Sequence, residues 1–232
     1  MSFVRTSLLI VEENLIKLKN SSVAVFGIGG VGGYAVEALA RSGVGKITVF
    51  DNDTVSASNI NRQIIATTKS VGKCKIEAIK ERVLEINPDA KITAHKVFYL
   101  PENAGQFDFS QYDYVIDAVD TVSAKIQIIL SAKEKNVPVI SCMGTGGKTD
   151  PTKLAICDIS KTSGCPLARV MRKELSLRQI KDVKVVFSDE KTITVNSEEK
   201  KSDGRGAPPS MIFVPAVAGL ILAREVVFDL IK

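Results

Sequence analysis

The residues best equipped for chemistry fall along one part of the chain. Gly27, Gly29 and Gly32 form G-x-G-x-x-G, with Gly30 and Gly33 as further glycines. Asp51 follows 19 residues after Gly32, and Asp53 comes just beyond it. Glycines lack the Cβ that would keep a backbone away from phosphates, a helix N-terminus behind them offers unpaired N–H groups, and an acid at this spacing can bind ribose hydroxyls. This implies a nucleotide without saying which. Arg62 and Lys75 come next, in SNINRQ and GKCK. A hydride-transfer site has no use for two such cations. A triphosphate does, because they neutralise charge moving onto a leaving pyrophosphate. Asp120, which ends DAVD, offers a carboxylate to the accompanying Mg²⁺. The chain has no G-x-x-x-x-G-K-[ST], which argues against a P-loop kinase or GTPase.

Secondary structure must hold these residues, and the surrounding pattern is periodic. Residues 23–26 and 46–50 are short apolar runs that read as buried parallel strands, with a helical pattern over 34–41 between them. Helices are expected at 6–19 with Thr6 as N-cap, at 70–87 with Pro88 as the stop, and at 123–136. Strands are expected at 91–98, 112–118 and 137–142. This alternation predicts an α/β fold, a doubly wound, Rossmann-like, mostly parallel sheet whose ligands gather at the carboxyl ends of the strands. Gly27, Asp51, Asp120 and the stretch from Met143 through Gly147 all fall at such ends. Asp117 reads as the end of its strand, and Asp120 is preferred as the metal ligand.

The 232 residues suit a single domain, with a nucleotide-binding core over 1–150 and a mixed α/β extension over 151–232. The extension reads as strands at 153–159 and 183–187 with a helix at 165–180 between them. A polar, mobile loop over 189–209 and an apolar helix over 213–231 follow. The four cysteines form no C-x-x-C pair, so a structural zinc site is not expected and a reducing, cytoplasmic setting is. Residues 1–20 lack the apolar core of a signal peptide. The apolar run from Met211 to Ala223 is interrupted by Pro215 and Gly219, and falls short of the roughly 20 residues that a membrane span requires. His95, Cys142 and Cys157 lie in strand patterns; His95 reads as structural and the two cysteines as buried. The net charge of +5 says little about partners, but residues 161–184 alone hold seven basic residues against two acids.

The motifs GIGGVGG, DND, SNINRQ, GKCK and DAVD, in that order, resemble the E1-like, ThiF/MoeB-type ATP-dependent activating enzymes. In that family a carboxylate attacks ATP to give an acyl-adenylate. The resemblance implies that Gly27, Gly29, Gly30 and Gly32 line the nucleotide, with Asp51 on the ribose and Asp53 beside it. It puts Asn59, Arg62, Gln63 and Lys75 on the phosphates and Asp120 on Mg²⁺. Arg5 occupies the place of an arginine that reaches the ATP of the partner in a homodimer. Relatives that adenylate sulfur carriers usually bear paired zinc-binding C-x-x-C motifs, which this chain lacks.

Three longer stretches, VRTSLLIVEENLIKLKNSSVAVFGIGGVG, DISKTSGCPLARVMRKEL and PSMIFVPAVAGLILAREVV, resemble the tRNA threonylcarbamoyladenosine dehydratase branch of this family. The branch implies activation of the threonyl carboxylate of a modified adenosine beside the anticodon, then ring closure with loss of water. The attacking atom belongs to the same molecule, so no protein nucleophile is required. The implied partners are a modified tRNA and, for some relatives, a sulfur-transfer protein. Arg169, Arg172 and Lys173 could share a helical face and meet tRNA phosphates. Three other readings stay open: activation of the C-terminal glycine of a ubiquitin-like sulfur carrier, a nucleotide-binding scaffold without chemistry, and an NAD oxidoreductase.

Overall fold

Short runs such as VAVF and YVI are apolar on both faces, so they must be covered on both sides, and the chain does this with a central sheet. In the computed structural model, which describes residues 3–193 and 208–232, seven strands form one sheet in the order β3-β2-β1-β4-β5-β7-β6. They are β1 Ser22–Phe26, β2 Lys46–Asp51, β3 Lys91–Lys96, β4 Tyr114–Asp117, β5 Val139–Cys142, β6 Leu154–Asp158 and β7 Lys184–Ser188. All neighbours pair in parallel except β6, which runs antiparallel to β7 at the edge. β6 and β7 come from the extension, which therefore continues the sheet of the core.

The helices are α1 Val4–Ile10, α2 Glu12–Asn20, α3 Gly32–Ser42, α4 Lys75–Ile86, α5 Val122–Glu134, α6 Pro166–Leu177 and α7 Phe213–Leu230. Apolar side chains of α2, α3, α4 and α7 pack with Val23, Val25, Ile47 and Val49 on one face of the sheet. Those of α5 and α6 pack with Phe26, Phe50, Val115 and Val185 on the other. On this second face the Phe26 and Phe50 rings stack at 4.1 Å, a contact worth about 0.5–1.5 kcal/mol beyond the area it buries. His95 extends the stack at 4.8 Å from Phe50, and burial pulls its pKa down; it is a packing residue, as expected.

β1, β2 and β3 build outward in one direction, and the chain then returns to place β4 on the other side of β1. That reversal opens a crevice between the carboxyl ends of β1 and β4, the place where such sheets bind ligands.

Several local expectations need correction. Residues 6–19 are two helices rather than one, broken at Val11, whose φ is +63°, and the N-cap of the first is Phe3 rather than Thr6. The second long helix begins at Lys75 instead of residue 70. The residues before it are held out of helix by an antiparallel bridge from Thr54 to Cys74 and by Gly72 at φ +89°. β3 stops at Lys96 and β4 spans only Tyr114–Asp117. Cys142 is buried, but Cys157 is partly exposed on the edge strand. Of the loop expected over 189–209, residues 194–207 lie outside the described residues.

Candidate active site

The glycine turn joins β1 to α3 at the crevice. Gly27 has φ +86°, and a Cβ there would stand 2.9 Å from the carbonyl oxygen of Ala118, just past β4. A Cβ on Gly32 would stand 1.8 Å from the Gly27 carbonyl oxygen. Both positions are closed to any side chain. Gly29 differs: a Cβ built on it meets nothing within 4 Å, so its backbone faces open space. The turn thus seals itself against β4 through Gly27 and Gly32 and opens outward at Gly29.

Asp51, at the end of β2, braces this turn. Its carboxylate accepts the Ile28 N–H at 2.6 Å on one oxygen and the Asp53 N–H at 2.8 Å on the other. Each oxygen keeps a further lone pair for a hydroxyl donor. Asp53 Oδ2 in turn lies 2.7 Å from Lys75 Nζ. The Lys75 side chain is 7% exposed and that of Asp53 59%, so a buried ammonium ends beneath an open carboxylate at the crevice rim. Lys75 opens α4, and its N–H donates to the Asp53 carbonyl at 3.0 Å.

Residues 56–64 form the second wall. Asn59 accepts the Ser56 N–H at 3.1 Å through its side chain, while its carbonyl accepts the N–H groups of Arg62 at 3.1 Å and Gln63 at 2.9 Å. This tight coil presses against the glycine turn: Arg62 Cγ lies 3.5 Å from a Cβ built on Gly30. The Arg62 guanidinium donates to the Ser58 carbonyl at 2.8 Å and to Asn61 Oδ1 at 3.0 Å. Gln63 is 7% exposed, and its Oε1 is buried without a hydrogen-bond partner. A buried amide oxygen in that condition costs about 1–3 kcal/mol, and a donor from a bound ligand would relieve it. An open glycine cradle, an acid with spare acceptors, two cations and an orphan acceptor fit a nucleoside triphosphate.

Asp120 is exposed at the mouth of the crevice, in the turn from β4 to α5. Among the described residues no group of three or more His, Cys, Asp or Glu could enclose a metal. One carboxylate still suits Mg²⁺, which keeps several waters and takes its remaining ligands from phosphates. Asp117 is more than a strand end. It is fully buried, 3.0 Å from the ammonium of an equally buried Lys125. Sequence reasoning passed over Lys125, although a lysine among Ala124, Ile126, Ile128 and Ile129 on an inward helix face was a signal. Beyond β5, Lys148 is buried as well and donates to the Ser188 carbonyl at 2.5 Å; burial lowers its pKa, against smaller opposing effects of Cys165 and Glu190.

Arg5 does not join this group. It lies on α1, and its neighbour Phe3 reaches within 3.8 Å of a Cβ built on Gly43. Gly43 precedes β2, so α1 starts at the amino ends of the strands, across the sheet from the crevice. The three α6 residues divide. Arg169 and Lys173 are exposed, whereas Arg172 donates to the Thr162 carbonyl at 2.8 Å and secures the loop before the helix. α6 itself starts at the crevice, because Cys165 Sγ and Leu167 Cβ lie 3.5 and 3.7 Å from a Cβ built on Gly144. The start of α7 also covers the turn, with Pro215 Cβ 3.4 Å from a Cβ built on Gly30 and Asn61 donating to the Ser210 carbonyl at 2.9 Å.

Residues 4–230 match the model of the ThiF family. The tRNA threonylcarbamoyladenosine dehydratase of Bacillus subtilis is 45% identical over 99% of this chain and 94% of its own length. The crystal structure of the Escherichia coli tRNA N6-threonylcarbamoyladenosine dehydratase, TcdA, in complex with AMP superposes with a TM-score of 0.90 at 34% identity, covering 98% of this chain and 93% of that one. The same enzyme in complex with ATP gives 0.88 at 35% identity, with the same coverage. This chain belongs to the ThiF family of E1-like enzymes, in the tRNA threonylcarbamoyladenosine dehydratase branch.

Proposed function

We propose that this protein is an ATP-dependent dehydratase that cyclises N6-threonylcarbamoyladenosine beside the anticodon of tRNA. The observation that carries the reading is the crevice: an open glycine turn, Asp51, Arg62, Gln63 and Lys75 converge where the sheet reverses, in a chain 45% identical to a dehydratase of that name along nearly its full length. A carboxylate is a poor electrophile, and joining it to a phosphoryl group of ATP gives the carbonyl a good leaving group. The threonyl carboxylate attacks the nucleotide, pyrophosphate departs, and a nitrogen or oxygen of the same residue then closes the ring as AMP leaves. The net change is loss of one water.

In this reading Gly29 and Gly30 give the phosphates their backbone N–H groups and Asp51 accepts from the ribose. Asn59 and Gln63 fix the triphosphate through their side-chain N–H groups, with the Gln63 Oε1 left to accept from a donor on the sugar or base, and Arg62 and Lys75 take up charge as pyrophosphate leaves. For Lys75 this means giving up part of its pairing with Asp53. Asp120 would hold Mg²⁺, which would share the charge on the phosphates. Arg169 and Lys173 face outward one and two turns beyond the crevice and would meet tRNA phosphates.

Arg5 would complete the site of a second copy. The start of α1 at the far end of the strands supports this reading, and Leu8 and Leu9 beside Arg5 are 81% and 79% exposed, an apolar surface that a homodimer would cover. A sulfur-transfer protein is a further partner by family resemblance alone. Cytoplasmic residence fits the unpaired cysteines, and among the described residues no helix is long and apolar enough to cross a membrane.

The test is pyrophosphate release. Modified tRNA should stimulate it, while unmodified tRNA and a sulfur-carrier protein ending in Gly-Gly should not. Stimulation by the carrier alone would move the assignment to the adenylyltransferase reading.

A further inference from the structure

Beneath the floor of the crevice lie three polar side chains to which the proposed reaction assigns no part: Asp117 from β4, Lys125 from α5 and Ser141 from β5. All three are completely buried. Asp117 Oδ2 accepts from Lys125 Nζ at 3.0 Å and from Ser141 Oγ at 2.5 Å, and Oδ1 accepts the Val119 N–H at 3.2 Å. Lys125 Nζ also donates to the Val119 carbonyl at 2.9 Å. The N–H and the C=O of residue 119 are therefore both tied to the same ion pair.

Stability alone does not account for charges in this place. Desolvating two ions offsets most of their attraction, and well-packed apolar residues would hold the layers together as well or better. What an apolar pair could not do is fix both polar groups of one residue in the turn out of β4. That turn carries Asp120 next in sequence, and its Ala118 carbonyl abuts Gly27.

We propose that Lys125 and Asp117 are positioning residues, with Ser141 as their anchor in β5, and that their ion pair orients the 118–121 turn so that the Asp120 carboxylate meets the metal on the triphosphate. The inference rests on the reading of the crevice as a site for ATP with Mg²⁺. Lys125 touches neither reactant; it acts through Val119.

The test is calorimetric titration of the full-length protein with a non-hydrolysable ATP analogue, with Mg²⁺ and with EDTA, beside thermal unfolding. Lys125→Met alone strands a buried carboxylate, so the informative variant is the doubly neutral Asp117→Asn/Lys125→Met. It should melt close to the wild type and lose about tenfold in affinity with Mg²⁺, with a change of less than about twofold in EDTA. Adding Asp120→Ala to it should cost little more, because the carboxylate is already misplaced. If the doubly neutral protein does not fold, Ser141→Ala removes one hydrogen bond to Asp117 and leaves the charges in place; a selective loss of about threefold with Mg²⁺ is expected. Affinity equal to wild type under both conditions, in whichever variant folds, overturns the proposal and leaves the pair structural. A wild-type protein whose binding of the analogue does not respond to Mg²⁺ overturns the reading of the crevice, and this inference with it.

Discussion

Alanine at Gly32 and alanine at Gly29 should do different damage, although the two residues lie in one motif. At Gly32 the new Cβ would sit 1.8 Å from the Gly27 carbonyl oxygen and 3.0 Å from its carbon. Both partners are backbone, and Gly27 is itself pressed against Ala118, so the turn has nowhere to move. Overpacking of this kind costs about 1–3 kcal/mol, and in a protein of this size each kcal/mol lowers the melting temperature by about 2–4 °C. Gly32→Ala should therefore melt roughly 2–12 °C lower and bind ATP poorly as a consequence. At Gly29 a Cβ meets nothing within 4 Å, so Gly29→Ala should melt within about 2 °C of wild type. Its methyl group would stand where the phosphates approach the backbone. Loss of one charge-assisted hydrogen bond, about 1.5–3 kcal/mol, would weaken ATP about 10–150-fold. Differential scanning calorimetry and ATP titration read the two effects separately. Equal melting losses, or unaltered ATP affinity in Gly29→Ala, would refute the assignment of Gly29 as the open phosphate cradle.

Other expectations concern the partner, the substrate and pH. Arg5→Ala and Asp120→Ala should each abolish most turnover as homodimers, while mixed dimers should recover up to about half of the wild-type dimer's activity, since one of the two sites is then intact; no recovery in a titration of one variant against the other would put Arg5 outside the partner's site. Arg169→Ala and Lys173→Ala should each weaken tRNA binding and flatten its dependence on log salt by about one unit, whereas Arg172→Ala should mainly lower the melting temperature. An unchanged salt slope would remove α6 from the tRNA surface. Asp229, on α7, is pushed up by burial but brought down to about 2 by hydrogen bonds from Lys184, Lys232 and Tyr114. Its folded value is depressed, so its contribution of about 2 kcal/mol is complete above the ordinary carboxylate range and is lost as pH falls from about 4 to about 2. Urea unfolding should show Asp229→Asn less stable than wild type at pH 6 and converging with it near pH 2; a constant difference across that range would count against the linkage.

The centre of the sheet was legible because β1, β2, β4 and β5 are short, mostly apolar runs, and the helices between them have clear periods. The glycine turn, Asp51 and residues 59–63 were legible because each is a local device of fixed spacing: the turn closes through Gly27 and Gly32, Asp51 accepts the Ile28 N–H, and the Asn59 carbonyl accepts the N–H groups of Arg62 and Gln63. Helix ends were less so. The run of 70–87 scans as helical throughout, yet the bridge from Thr54 to Cys74 takes its first turn away, and no local pattern reports a bridge. Val11 likewise interrupts a helix that its neighbours favour. In the site, Asp117 and Lys125 were hidden for a different reason. A lysine on a helix is ordinarily at the surface; the apolar neighbours of Lys125 hinted at its burial, but its pairing with Asp117, eight residues away, shows only in the folded core. Arg172 has the right spacing to share a face with Arg169 and Lys173, but its partner Thr162 comes from the loop before the helix, which spacing does not report.

The reaction to test is the removal of water from one modified nucleoside at the expense of ATP. Mass spectrometry of nucleosides from tRNA bearing threonylcarbamoyladenosine, after incubation with the protein, ATP and Mg²⁺, tests it most directly. The threonylcarbamoyladenosine signal should fall and a product lighter by one water should replace it, only when ATP is present and not with Arg62→Ala. An unchanged nucleoside in the presence of protein that binds ATP would contradict it.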